Sequence, residues 1–247
     1  MKKIAIVASG LLWATGIFAD GVSSQEIVGY QTIPLKAGFN MITPTFTDAG
    51  TKDATYDIQN IKISDENGTY GWGAEQIQIV DENGNVSATY TWMSPDASGY
   101  EKAAWCDDSA TPVARKLKQG LAFLLYTESA GVATVSGAVA SGEKFATTLS
   151  TGFNGIGNAS PVDVDIQKII ISDKDGTYGW GAEQIQIVDV NGNVSATYTW
   201  MSPDASGYEK AAWCDDSATP VKESIKAGSG FLLYTEGEGT VEVPTAL

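Results

Sequence analysis

The chain is poor in the residues that most enzymes and nucleic-acid-binding proteins depend on. Its 247 residues include no His and two Cys, and 15 Lys and Arg stand against 30 Asp and Glu. Without His, the commonest general base and the commonest zinc ligand are both missing. So few basic residues cannot form an extended phosphate-binding surface, which excludes nucleic acid as a predicted partner.

Motifs for catalysis are also lacking. The sequence has no Gly-x-Ser-x-Gly nucleophile elbow and no phosphate-binding glycine loop. The adjacent acids Asp107 and Asp108 recur as Asp215 and Asp216. Neighbours in sequence rarely face each other across a substrate, as the two carboxylates of a glycosidase must. We therefore predict that the protein is not an enzyme.

A long apolar run is present only at the N-terminus. Lys2 and Lys3 precede an apolar segment from Ile4 to Phe18, and Ala19 offers a small residue for cleavage. This pattern predicts a signal peptide over residues 1–19 and no membrane span after its removal. Cleavage would leave 13 basic and 30 acidic residues, a formal charge of −17. We expect an exported bacterial protein, located in the periplasm, at the cell surface or outside the cell.

What the sequence does contain is a long internal repeat. The segment Gly68–Val113 returns as Gly176–Val221, and the two copies differ at one of 46 positions, where Glu82 becomes Val190. Leu35–Asn40 also resembles Leu149–Asn154, so repeat one carries six extra residues in the loop near Thr47–Thr55. The repeat predicts two tandem domains, residues 20–139 and residues 140–247.

Both repeats have the periodicity of β-structure. Apolar and polar residues alternate over Glu75–Val80 and Val86–Met93, and Asn83-Gly84 between them predicts a tight hairpin. The apolar segment Gly120–Thr127 predicts a buried central strand. Further strands are predicted at the positions that follow: Glu26–Leu35, Phe39–Thr45, Ile58–Ile63, Val132–Val139 and Gly239–Val243. We expect an all-β fold of two near-identical, antiparallel, sandwich-like or barrel-like domains, with no helix longer than two turns.

Acidic turns recur in both repeats and suggest calcium, the one cofactor that the sequence indicates. Each Asp-x-Asn/Asp-Gly turn groups oxygen-bearing side chains with backbone carbonyls, as a Ca²⁺ ligand set requires. The same residues also dominate ordinary β-turns for backbone reasons, so both interpretations stay open. The candidate ligands are Asp65, Asn67, Asp81 and Asn83 in repeat one, and Asp173, Asp175, Asp189 and Asn191 in repeat two.

Tyr-Gly-Trp-Gly segments provide candidate ligand platforms. Tyr70 and Trp72 recur as Tyr178 and Trp180, and the flanking glycines could leave the rings exposed on a loop. Exposed aromatic rings beside Asp, Asn and Gln suit the binding of a glycan. The alternative is that these rings form the core of a domain that is short of Leu and Ile.

The two cysteines, Cys106 and Cys214, occupy equivalent positions in the two repeats. Thiols of exported proteins tend to become oxidised. Three outcomes are open: a disulfide between the repeats, disulfides between molecules, or two separate thiols. An internal bridge requires the two Cα atoms to lie within about 7 Å of each other.

Three motifs occur in the same order in each repeat. They are Gly-Phe-Asn-x-Ile at Gly38–Ile42 and Gly152–Ile156, Asp-x-Asn-Gly-x-Val-x-x-x-Tyr at Asp81–Tyr90 and Asp189–Tyr198, and Gly-x-x-Phe-Leu-Leu-Tyr at Gly120–Tyr126 and Gly228–Tyr234. In these motifs the chain resembles a class of exported bacterial β-repeat proteins. The resemblance implies an extracellular or envelope location and a structural or binding role, and it implies no catalytic residue.

Two functions follow from these observations as hypotheses. The first is an exported structural or cell-surface protein that self-assembles into a filament or layer. In this hypothesis, the initial strand of one molecule could pair with the final strand of another. The alternative is a bivalent carbohydrate-binding or adhesion module, in which two weak sites on one chain gain from avidity.

Overall fold

The structure is a computed structural model, and it describes residues 28–48, 54–65, 74–81, 83–94, 102–139, 144–173, 182–202 and 210–245. The predicted all-β, antiparallel fold is confirmed, since every pairing between its strands is antiparallel. Within these residues, no helix is long and apolar enough to cross a membrane. Short 3-10 helices occur at Ile58–Asn60 and Ile166–Lys168.

Repeat one forms three open sheets. Its strands are β1 (Val28–Leu35), β2 (Gly38–Ile42), β3 (Thr55–Asp57), β4 (Lys62–Asp65), β5 (Gln76–Val80), β6 (Val86–Met93), β7 (Ala104–Cys106), β8 (Lys116–Lys118), β9 (Phe123–Thr127) and β10 (Gly131–Ala138). The strand orders are β1-β10-β4, β2-β9-β5-β6-β7 and β3-β8.

Repeat two has the same topology. Its strands are β11 (Lys144–Leu149), β12 (Gly152–Gly157), β13 (Val164–Asp165), β14 (Ile170–Asp173), β15 (Gln184–Val188), β16 (Val194–Met201), β17 (Ala212–Cys214), β18 (Ser224–Ile225), β19 (Gly230–Thr235) and β20 (Gly239–Pro244). The orders are β11-β20-β14, β12-β19-β15-β16-β17 and β13-β18. Each strand order matches that of repeat one element by element.

A hydrophobic core fills the space between the three-stranded and five-stranded sheets of each repeat. In repeat one, Ile33 and Val135 of the smaller sheet share a core with Ile77 and Leu125 of the larger sheet. A separate core in repeat two has the same construction. This two-layer packing corresponds to the sandwich-like form of the prediction. The division into two independent domains stays a prediction.

The predicted hairpin is confirmed in both repeats. β5 pairs with β6, and β15 pairs with β16, each with a bulge just before the turn. Gly84 has φ +78° and Gly192 has φ +80°, conformations in which residues with a Cβ are disfavoured. Asn-Gly was the strongest local signal in the sequence because it meets this backbone requirement directly.

One strand prediction and one hypothesis about strand pairing between molecules are corrected. A continuous strand over Ile58–Ile63 was wrong, because the Asp57 carboxylate accepts a hydrogen bond from Gln59 N and begins a 3-10 turn there. The final strand, β20, lies between β11 and β14 and is hydrogen-bonded on both sides. It therefore has no open edge for a second molecule, whereas β1 is an edge strand.

Candidate functional site: the contact between the two repeats

The Gly-Phe-Asn motif forms a closed turn at the start of β2. Asn40 Oδ1 accepts a 2.9 Å hydrogen bond from Lys36 N, and Asn40 Nδ2 donates a 2.8 Å bond to Lys36 O. Gly38 has φ +98°, which allows the chain to reverse between these two residues. Asn154 and Gly152 form the same turn around Ser150 in repeat two. The backbone conformation of this turn therefore explains both the glycine and the asparagine of the motif.

The Asp-x-Asn-Gly motif forms a hairpin tip that its own carboxylate closes. Asp81 Oδ1 accepts 2.9 Å hydrogen bonds from Asn83 N and Asn85 N. Asp189 is bonded in the same way, and the backbone N–H of Asn193 lowers its pKa. These carboxylates stabilise the turn, as expected for Asp in this position.

These two motifs contact each other across the boundary between the repeats. Phe39 N donates a 2.8 Å hydrogen bond to Val190 O at the tip of the β15–β16 hairpin. The Phe39 ring packs against Gly192, where an added Cβ would lie 3.1 Å from the ring. In the reverse direction, the Phe153 ring packs 3.1 Å from the position of a Cβ on Gly84. Each repeat therefore places one phenylalanine on the hairpin tip of the other.

Further bonds between the repeats are also reciprocal. Thr43 N donates to Gly228 O at 2.9 Å, and Gly157 N donates to Gly120 O at 2.9 Å. Thr43 aligns with Gly157 and Gly228 aligns with Gly120, so the two bonds are equivalent in the two repeats. The bridge between Ile42 and Ser229 likewise corresponds to the bridge between Ile156 and Leu121. We conclude that an approximate twofold axis relates the two repeats, as in an isologous interface between subunits.

The described members of the predicted calcium ligand set lie at two hairpin tips and at two strand ends. Asp81, Asn83, Asp189 and Asn191 belong to the two hairpin tips, whereas Asp65 and Asp173 end β4 and β14. Asn67 and Asp175 lie outside the described residues. No group of three or more Asp, Glu, Cys or His in the described part of the chain is arranged to hold a metal ion. Calcium binding at these turns stays a prediction.

The adjacent acids of the second loop are turn residues as well. Asp107 Oδ1 accepts hydrogen bonds from Ser109 N at 2.9 Å and Thr111 N at 3.0 Å. Asp215 makes the equivalent bonds in repeat two. The carboxylates of Asp107 and Asp215 thus bond to the backbone of their own loops.

A buried acid immediately before β5 belongs to none of the motifs recognised in the sequence. Glu75 is 1% exposed, and its Oε2 atom has no hydrogen-bond partner among the residues that the structure describes. Burial raises the pKa of Glu75, and the negative charges of Glu128 and Asp65 raise it further. Hydrogen bonds from backbone N–H groups act in the opposite direction and lower it. Glu183 has the same position and the same direction of pKa shift in repeat two. The available signal was spacing, because Glu75 lies two residues before the core residue Ile77 and so on the same strand face.

The cysteines are buried thiols in equivalent strands. Cys106 and Cys214 are each 0% exposed. Each Sγ lies 3.9 Å from a carbonyl oxygen two residues earlier, that of Ala104 or Ala212. A disulfide between molecules would require β7 or β17 to separate from its surroundings.

The described tryptophans are buried in the cores of the two repeats. The rings of Trp92 and Trp105 pack 5.0 Å apart, and Trp105 Nε1 donates a 3.0 Å hydrogen bond to Ile61 O. Trp200 and Trp213 repeat this pair in the second repeat. The candidate glycan platform, Tyr70 and Trp72 with Tyr178 and Trp180, lies outside the described residues.

Comparison with known proteins adds no relative. No protein-family model, no curated protein and no solved structure matches the chain.

Proposed function

We propose that the protein is an exported structural protein of the bacterial surface that self-assembles. The observation that carries this proposal is the contact between motifs: Phe39 of the Gly-Phe-Asn turn packs on the Asp-x-Asn-Gly tip of the other repeat, and Phe153 does the same in return. The recurrent motifs thus join one repeat to another. Contacts of this kind are the basis of repeat arrays, in which each unit is stabilised by its neighbours.

The predicted export signal supports the proposed location. Two lysines followed by an apolar segment are typical of a signal peptide. The formal charge of −17 expected after cleavage favours a well-solvated protein. Like charge opposes association at low ionic strength, and salt screens that repulsion. Assembly should therefore increase with salt.

Electron microscopy combined with sedimentation tests the proposal. The purified protein is examined over a series of protein and salt concentrations. Filaments, layers or oligomers that grow with both variables are the expected result. A single monomeric species under every condition would contradict self-assembly.

A further inference from the structure

Three positions lie where the approximate twofold axis brings equivalent residues of the two repeats together. At each position repeat one carries a larger residue and repeat two carries glycine. The three axis pairs are Met41 with Gly155, Thr43 with Gly157, and Ala122 with Gly230.

The glycines of these pairs have no room for a side chain. A Cβ added at Gly157 would overlap the side chain of Thr43, and one added at Gly230 would overlap Cβ of Ala122. A Cβ added at Gly155 would lie 2.7 Å from the backbone oxygen of Ala122. Backbone and β-carbon atoms cannot move aside as the end of a flexible side chain can. Repeat two is therefore shaped to receive the larger residues of repeat one.

This arrangement distinguishes between partners. Pairing of two first repeats would place Met41 and Ala122 against their own copies and produce overlap. Pairing of two second repeats would leave empty space at all three positions. A first repeat with a second repeat is the combination that fills the axis without overlap. Such shape differences confer specificity by penalising the wrong pairs.

We propose that the three axis pairs are a recognition code that joins a first repeat to a second, and that the partner it fits is the complementary repeat of a second copy of this chain. This inference rests on the proposed self-assembly and names the surface that carries it. Repeat one of one molecule binds repeat two of the next, which leaves a first and a second repeat unpaired at the ends. Such a head-to-tail contact can extend from molecule to molecule.

Pairing within the chain competes with pairing between chains. A short connection holds the two repeats of one molecule at an effective concentration on the order of millimolar. Dilute protein therefore pairs internally. Exchange between molecules becomes favourable at the high local concentration of a surface layer.

A cross-linking experiment separates the two kinds of pairing. Ile42 and Ser229 are bridge partners across the repeats, and Thr43 N bonds to Gly228 O beside them. Ile42 and Ser229 therefore form a non-hydrogen-bonded antiparallel pair. The Cα atoms of such a pair lie about 4.5 Å apart, a separation that suits a disulfide. The variant I42C/S229C is oxidised at low and at high protein concentration, with the wild-type chain as control for Cys106 and Cys214. Monomers are expected at low concentration and a covalent ladder at high concentration.

Substitutions at the axis test the code in the I42C/S229C background. Adding G155M, G157T and G230A gives both repeats the larger residues and should lower the cross-linked fraction by about tenfold or more. The matched control adds M41G, T43G and A122G to those three changes, which inverts every pair. Cross-linking should return in this inverted variant, which also shows that the three glycine substitutions permit folding.

Each outcome decides the proposal. Wild-type cross-linking in the first variant, or loss of cross-linking in both, would overturn the code. Monomeric products in assembled material would overturn pairing between chains at this surface, while the proposed self-assembly would stand. Absence of any assembly would instead refute the proposed function itself.

Discussion

Gly38 cannot accept a side chain for two reasons that act together. Its φ is +98°, and an added Cβ would overlap the carbonyl oxygen of Val190 in the other repeat. We expect Gly38→Ala to lower the free energy of unfolding by about 2–4 kcal/mol, from backbone strain and overlap combined. Urea denaturation measures the change. Gly237→Ala is the control, since a Cβ at Gly237 meets no atom of the described residues within 4 Å. Equal losses in both variants would contradict the explanation.

The buried acid Glu75 predicts a pH dependence of stability. Burial raises its pKa above the ordinary value of 4.5, so the folded state holds the proton more tightly than the unfolded state. Its contribution to stability is therefore fully present below the ordinary pKa and is lost as pH rises through the folded pKa. Glu75→Gln removes this loss. The stability of the variant relative to wild type should rise with pH above about 4.5.

Denaturation of both proteins between pH 4 and pH 7 measures this difference. Glu183→Gln provides an independent repetition, because burial raises the pKa of Glu183 as well. A difference between variant and wild type that is constant with pH would show that neither acid titrates as described.

At the scale of elements, Tyr56 joins β3 to β10. Its hydroxyl donates a 3.1 Å hydrogen bond toward Ser136 O and accepts a 3.0 Å bond from Ser136 N. Burial raises the pKa of Tyr56 to about 12, so the hydroxyl stays protonated and able to donate at neutral pH. We expect Tyr56→Phe to cost about 1–3 kcal/mol of stability, because backbone groups of Ser136 lose their partner.

Thermal denaturation measures the effect of Tyr56→Phe. Tyr30→Phe is the matched control, since Tyr30 is 73% exposed on an edge strand. The control should be close to neutral. A neutral Tyr56→Phe would mean that water replaces the hydroxyl at β10.

The sequence predicts those elements whose conformation is fixed locally. The hairpin of β5 and β6 follows from period-two alternation and from a turn that requires positive φ at Gly84. The 3-10 turn at Ile58–Asn60 was missed because the alternation of Ile61 and Ile63 resembles a strand. The conformation is decided by one capping hydrogen bond, which Gln59 N donates to the Asp57 carboxylate. The burial of Glu75 was missed because it depends on a second sheet lying over that face.

At the scale of the whole molecule, the reciprocal contacts predict cooperative unfolding. Repeat one and repeat two have separate cores, but backbone hydrogen bonds of 2.8–2.9 Å join them. We expect a single calorimetric transition for the wild type. The variant G155M/G157T/G230A should show two transitions, because the repeats then unfold independently. Two transitions in the wild type would show that the contact adds little to stability.

The twofold arrangement of the two repeats could not be predicted from the sequence, although the sequence contains one difference that depends on it. The two repeats differ at Met41 and Gly155 inside otherwise matching Gly-Phe-Asn-x-Ile motifs. Without coordinates, such a difference is indistinguishable from drift. It gains meaning only when these equivalent positions are found in contact, which is a property of tertiary structure. The motifs of the candidate site could thus be predicted from the sequence, but the contact between the motifs of the two repeats could not.

The axis pairs have a consequence for how the gene for this protein can change. Copying of one repeat onto the other would leave Gly68–Val113 and Gly176–Val221 almost unchanged, because they already differ at a single position. The same copying event at Met41, Thr43 or Ala122 would place like residues on the axis and break the fit. The two repeats can therefore become more alike at positions away from the axis, whereas the residues of the axis pairs must stay different for the contact to fit.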